Sequence, residues 1–181
     1  MKNSSFFRHF CFLFGFPFVT VMCFSADAAG LDLTSAAFDN GGNIPVRFTG
    51  QGEDVSPGLK WSGAPEGTKS FALIMDDPDA PMGTWVHWVI YDIPAGSKGL
   101  EQDIPPDATL SDGSRQGVNS FRRIGYGGPN PPPGPAHRYI FTLYALDAEL
   151  GLTPGAEKTE VISAMKGHIL AQASLKGMFK R

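Results

Sequence analysis

The chain has 181 residues, with 15 basic and 18 acidic side chains, a formal net charge of −3 and 42% hydrophobic residues. That length suits one domain with its own core, and there is no basic run or basic helix face to hold a nucleic acid. Both cysteines, Cys11 and Cys23, lie near the N-terminus, so the rest of the chain has no thiol for a disulfide, a zinc thiolate or a nucleophile.

Residues 1–28 read as a cleaved signal peptide. Lys2 and Arg8 form a positive start, Phe10–Phe24 is an apolar run, and Ala26-Asp27-Ala28 supplies small residues at a cleavage point. The run is short of the roughly 20 residues that span a bilayer and contains Gly15 and Pro17. The expectation is an exported protein, periplasmic or secreted, whose single domain covers residues 29–181. Without the first 28 residues, 13 basic and 17 acidic side chains remain.

Beyond that segment, short apolar stretches alternate with Gly, Pro, Asn and Asp. Leu31–Thr34, Ile44–Thr49, Leu59–Trp61, Ser70–Met75, Trp85–Ile93 and Arg138–Leu146 are predicted strands. Asp39–Gly42, Gly63-Ala64-Pro65 and Asp112-Gly113 are turn signals. Spacings of this kind, without helical periodicity between them, predict a mostly antiparallel β fold. Gly99–Ser120 reads as a long loop with at most a short strand. Thr153-Pro154-Gly155 reads as a loop, and Thr159–Gly167 as the one helix. The alternation after it predicts a final strand, Leu170–Met178.

Two stretches are chemically dense. Asp76–Trp88, DDPDAPMGTWVHW, follows a buried apolar run and packs three carboxylates, two prolines and a histidine into a stiff turn that opens into a strand. Strict alternation from Trp85 puts Trp85, His87, Val89 and Tyr91 on one face and Val86, Trp88 and Ile90 on the other. Gly125–Tyr139, GYGGPNPPPGPAHRY, holds five prolines and four glycines, a composition that excludes helix and central strand. It leads into a strand with His137 and Tyr139 on one side and Arg138 on the other. If the two strands are neighbours, Asp77, His87, His137 and Tyr139 converge on one small cavity. From spacing alone, His87 reads as well as a core histidine satisfied by a carbonyl.

The motifs DPDAP with a following HW pair, then GYGGPxPPPG and HRY, resemble the phosphatidylethanolamine-binding protein family, and in particular its exported bacterial Raf-kinase-inhibitor-like branch. The resemblance extends from LDLTS through IPVRFTG, VSPGLKW and YIFTLYALD to GHILAQASLKGMF. It implies a central antiparallel sheet, a smaller flanking sheet, few short helices, and a pocket that accepts anions such as phosphate. By position the implied pocket residues are Asp77, Ala80, Pro81, Trp85, His87, Gly128, Pro129, His137 and Tyr139. The resemblance also implies a cis bond at Pro78 or Pro81, and the closing C-terminal helix of the mammalian members is not expected here.

Two histidines and a tyrosine suit a phosphate ester, with backbone N–H groups of the glycine loop as further donors. Asp77 fits beside an anion if it orients and charges one histidine or shares a proton with the phosphate. Binding is then expected to weaken as pH rises. Arg138 reads as an ion-pair partner for Asp79 or Asp76, Trp88 as core, Trp85 as a wall of the cavity, and His168 as structural. A two-histidine, one-carboxylate metal site from Asp77, His87 and His137 is a weaker alternative, because no tight ligand motif supports it. No Ser lies in a GxSxG elbow, so no enzyme is expected. The expectation is a non-catalytic binder without cofactor, whose partner is a small phosphorylated ligand or anion. Inhibition of a protein partner, a kinase or protease, through the surface is the alternative. Membrane contact and the choice between monomer and homodimer are left open.

Overall fold

The run Phe71–Met75 does not alternate, and the fold explains why. A computed structural model describes residues 30–181, so the export segment read at residues 1–28 lies outside the described residues. In it, Ser70–Asp77 (β3) is an inner strand whose five apolar residues are all buried, because both faces of its sheet are covered. On one side Phe71, Leu73 and Met75 join the main core, and on the other Ala72 and Ile74 join a second, smaller one.

Its antiparallel neighbours are Trp85–Pro94 (β4) and His137–Leu146 (β7). Ile169–Phe179 (β9) continues the sheet beyond β7. Arg115–Val118 (β6) and then Gly155–Glu157 (β8) extend it beyond β4, β8 being parallel to β6. A second sheet of three short strands, Asp32–Ser35 (β1), Leu59–Ser62 (β2) and Gly99–Leu100 (β5), supplies Leu33, Leu59, Trp61 and Leu100 to the main core. A central antiparallel sheet with a smaller flanking sheet is the architecture expected. The one α-helix among the described residues, Lys158–Met165 (α1), covers the opposite face with Val161 and Met165. Glu157 and Glu160 form a capping box at its start, each side chain accepting a backbone N–H of the first turn.

Several expectations need correction. Ile44–Thr49 is not a strand. Pro45 lacks an N–H for a ladder, its carbonyl takes the Phe48 N–H at 3.0 Å, and a short 3₁₀ turn at Val46–Phe48 results. Gly99–Ser120 contains two strands, β5 and β6, and the expected loop at Thr153–Gly155 runs into β8. There Gly117 lets the chains pair, since a Cβ on it would lie 2.3 Å from the Ala156 carbonyl oxygen. Neither Pro78 nor Pro81 follows a cis bond, as the described residues contain none. The turn reverses instead through the Asp77 carboxylate, which accepts the Asp79 N–H at 2.8 Å, and through Gly83 at φ +99°.

The strict alternation along β4 also fails. Met75 faces Trp88 while Asp76 faces Val86, so His87 is an extra residue, a β-bulge. The bulge turns His87 and Trp88 to the same side, that of the main core, while Val86, Val89 and Tyr91 pack on the other.

Candidate functional site

At the end of the sheet where β3 stops, its middle position brings three strands to one place. Asp77 closes β3, Trp85 lies opposite it at the start of β4, and β7 begins with His137. The two histidine strands are therefore not neighbours of each other, and each flanks β3. Between them lies a cavity of about 170 Å³, lined by Asp77, Ala80, Pro81, Trp85, His87, His137 and Tyr139 together with Phe121, Asn130, Pro131 and Pro132. Pockets for drug-sized ligands begin near roughly 300 Å³, so this one fits something smaller. A larger groove of about 700 Å³ runs along the small sheet by Lys60 and Lys98, but none of the converging residues lines it.

Gly128 and Pro129, expected as lining, do not line the cavity. Gly128 packs so closely that a Cβ would lie 2.6 Å from the Phe48 carbonyl oxygen, and its N–H donates to Asp54 Oδ1 at 2.6 Å. The Pro129 carbonyl accepts the Gly50 N–H at 2.9 Å. The Gly127 N–H donates to the His87 carbonyl at 2.9 Å. The backbone N–H groups of Gly127 and Gly128, expected to meet an anion, are thus committed to the protein. The glycines seat the loop, and the next three residues, Asn130–Pro132, form the wall.

Each histidine is held at one nitrogen. His137 Nδ1 lies 2.8 Å from Asp77 Oδ2, and Asp77 and His137 are 3% and 8% exposed. His87 Nδ1 lies 2.5 Å from the Gly127 carbonyl oxygen, which can only accept, so Nδ1 carries the proton. Burial pushes the His87 pKa below its ordinary value, against the opposing pull of the Gly127 carbonyl and of the charges of Asp77, Asp76 and Asp54. Burial also raises the Tyr139 pKa, and the nearby Asp77 charge adds to it, so Tyr139 keeps its proton. The Tyr139 hydroxyl and Trp85 Nε1 are both buried with no hydrogen-bond partner among the described residues. Asp77 is close enough for its charge to act on Tyr139, yet no bond of good geometry joins them.

Phe121 was not foreseen. It stands edge-on to Trp85 at 5.3 Å and to His87 at 5.5 Å between ring centres, and is 38% exposed at the mouth of the cavity. Its signal in the sequence is faint, a lone aromatic after Asn119-Ser120 and before two arginines. The Arg123 guanidinium lies 5.2 Å from its ring centre and donates to Asp54 at 2.8 Å.

Other assignments resolve plainly. Trp88 is fully buried, and its Nε1 donates to Gln116 Oε1 at 2.7 Å. His168 pairs with Asp147 away from the cavity. Asp77, His87 and His137 do not gather as metal ligands, since no group of three His, Cys, Asp or Glu does so among the described residues. No helix among them is long and apolar enough to cross a membrane.

Arg138 pairs with Asp79, while Asp76 pairs with Lys158. Two hydrogen bonds from the guanidinium, at 2.9 and 2.6 Å, lead the effects that lower the Asp79 pKa from 3.8 to about 2. A lowered carboxylate contributes stability above its unfolded value and loses it as pH falls through its folded one. Arg138→Ala is therefore expected to lower the melting temperature at neutral pH, and only slightly, because the pair is exposed and screened by solvent. The gap from the unaltered protein should close between pH 3.8 and about 2. Melting curves of both proteins across that range check it, and a gap constant with pH would refute the assignment.

Comparison with known proteins points one way. A sequence model of the phosphatidylethanolamine-binding protein family matches residues 34–180. The UPF0098 protein of Aquifex aeolicus is 50% identical over 171 residues, covering 93% of this chain and 99% of that one. The UPF0098 protein of Methanothermobacter thermautotrophicus is 52% identical over 151 residues, covering 83% and 99%. Among solved structures, Escherichia coli YbcL, described as a new member of the mammalian family, superposes with a TM-score of 0.79 at 34% identity, covering 84% of this chain and 99% of its own. A Chlamydia trachomatis homologue gives 0.77 at 37% identity, covering 84% and 98%.

Proposed function

The chain belongs to the phosphatidylethanolamine-binding protein family, and from that premise we propose that it is an exported member that binds a small anion, phosphate or a phosphorylated headgroup, without catalysing a reaction. The observation that carries this reading is one small cavity lined by two histidines together with Tyr139 and Trp85, whose Oη and Nε1 are buried donors without partners. An unpaired buried polar group costs about 1–3 kcal/mol, so two of them in one small cavity favour a ligand that accepts hydrogen bonds.

The absence of catalysis is supported by the histidines' partners. Among the described residues these are the Gly127 carbonyl and Asp77, so no serine or threonine hydroxyl is hydrogen-bonded to either ring as a nucleophile would be. The export reading rests on the sequence layout of residues 1–28 alone. Cell fractionation with N-terminal sequencing tests it, and a full-length cytoplasmic product would end it.

Titration calorimetry with phosphate, phosphoethanolamine and a divalent metal series tests the pocket. Phosphate is expected to bind, and to bind more weakly as pH rises. His87→Ala is expected to weaken binding by about tenfold, the value of one lost hydrogen bond near 1.4 kcal/mol. Binding by metals alone, or phosphate affinity indifferent to both pH and His87, would overturn the reading.

A further inference from the structure

We propose that the pocket selects an anion that brings its own acidic proton, a hydrogen phosphate or phosphate monoester, over fully ionised anions of the same shape or charge. The inference rests on the anion reading above and concerns which anion is held.

The first observation is the clamp on His87. Its Nδ1 proton is committed to the Gly127 carbonyl oxygen at 2.5 Å, and the Gly127 N–H returns to the His87 carbonyl at 2.9 Å. The ring cannot rotate to offer that proton without breaking the Nδ1 contact. Nε2 is the nitrogen left to a ligand, and on a neutral ring it is a bare acceptor. A P–O–H group can donate to it. An ionised oxygen in the same place would meet a lone pair with no proton between them.

The second observation is the charge count. Asp77 is a buried carboxylate whose two oxygens are both occupied, Oδ2 by His137 and Oδ1 by the Asp79 N–H. Even with His137 protonated, the pair has no net positive charge. No lysine or arginine lines the cavity, and Arg138 and Arg123 are paired with Asp79 and Asp54. The remaining donors, Tyr139 Oη and Trp85 Nε1, are neutral. A dianion would therefore enter a cavity with no surplus cation, whereas a protonated phosphate is complementary, with two or three accepting oxygens and one donor. Burial, by holding the His87 pKa low against Asp77, Asp76 and Asp54, keeps Nε2 bare near neutral pH.

The purified protein can be titrated at a pH of about 6.5 with inorganic phosphate, sulfate, methyl phosphate and dimethyl phosphate. Sulfate matches phosphate in shape but has no proton at that pH. Dimethyl phosphate matches the phosphate monoanion in charge and has none either. Phosphate should bind at least about tenfold more tightly than sulfate, and methyl phosphate than dimethyl phosphate, because a site built to pair with a ligand hydroxyl rejects the analogue that lacks it. In His87→Gln, whose amide can donate as well as accept, the preference over sulfate should fall below about threefold.

Sulfate within about threefold of phosphate in the unaltered protein, or dimethyl phosphate within the same range of methyl phosphate, would overturn the proposal while leaving an anion site in place. Silence toward all four would overturn the anion reading itself. Phosphoethanolamine distinguishes the sources of the shared chemistry. Tighter binding than inorganic phosphate points to a released headgroup and weaker binding to free phosphate, and both uphold the proton requirement.

Discussion

His137→Ala is expected to lower phosphate affinity by roughly a hundredfold, the upper range for losing a hydrogen bond to a charged group. The imidazole has its Nδ1 facing Asp77, so Nε2 is the nitrogen it leaves to a ligand. Its removal also leaves Asp77, 3% exposed, without the partner 2.8 Å from Oδ2. Breaking a buried pair from one side costs about 3–5 kcal/mol, and the lower end applies because Oδ1 keeps the Asp79 N–H. The variant should thus melt well below the unaltered protein and repel anions even where it is folded. Asp77→Asn on the His137→Ala background separates the two effects. It should recover much of the stability, since the stranded charge is gone, and none of the binding. Calorimetric titration and thermal melts of the three proteins measure both. Phosphate affinity unchanged in His137→Ala would place the anion somewhere other than this cavity.

Trp88→Ala is expected to produce the largest loss of stability from a single change, about 3–5 kcal/mol. Against the 5–15 kcal/mol typical of a whole domain, that leaves little in reserve. Trp88 is fully buried on β4, directly after the bulge that aims His87, and stands edge-on to Tyr126 at 5.7 Å. Its Nε1 donates to Gln116 Oε1, and Gln116 Nε2 in turn donates to the Pro105 and Asp107 carbonyls at 2.7 and 2.8 Å. One side chain thereby ties the inner sheet to the segment between β5 and β6. Trp88→Phe keeps an aromatic ring but strands Gln116 Oε1, for about 1–3 kcal/mol. Denaturant unfolding ranks the two variants. Hydrogen exchange should show that in Trp88→Phe the amides of Asp107–Gln116 lose protection first. A Trp88→Ala protein as stable as the original would mean that the indole is not packed as described.

Much of this arrangement is visible in the chain itself. The unalternating run Phe71–Met75 marks a strand covered on both faces. Alternation from His137 onward correctly separates His137 and Tyr139 from Arg138, because β7 keeps its register against β3 without a break. Asp77 beside a histidine, Trp85 on the cavity wall and the Arg138–Asp79 pair follow from the same local logic. The glycines and prolines of Gly125–Pro135 announce a loop held in one shape.

What local pattern cannot decide is set by contacts between distant segments. The bulge at His87 exists because β4 must meet β3 with one residue to spare, and nothing in TWVHW signals it. Gly128 and Pro129 do not line the cavity because Asp54 and Gly50, more than 70 residues earlier, occupy their polar groups and Phe48 packs against Gly128. Phe121 becomes a wall only when its loop folds over Trp85 and His87. The three-residue strand β8 is too short to have a period and forms because Gly117 lets a neighbour approach.

The sequence by itself therefore determined the fold class, the two dense stretches and most of the residues that meet. Side-chain periodicity and the fixed angles of proline are properties of single segments, so these features need no partner to be read. Only the tertiary structure decided which nitrogen of each histidine is free and which donors lack partners. A hydrogen bond is satisfied or left open by atoms far away in the chain, and that is where the chemistry of the pocket resides.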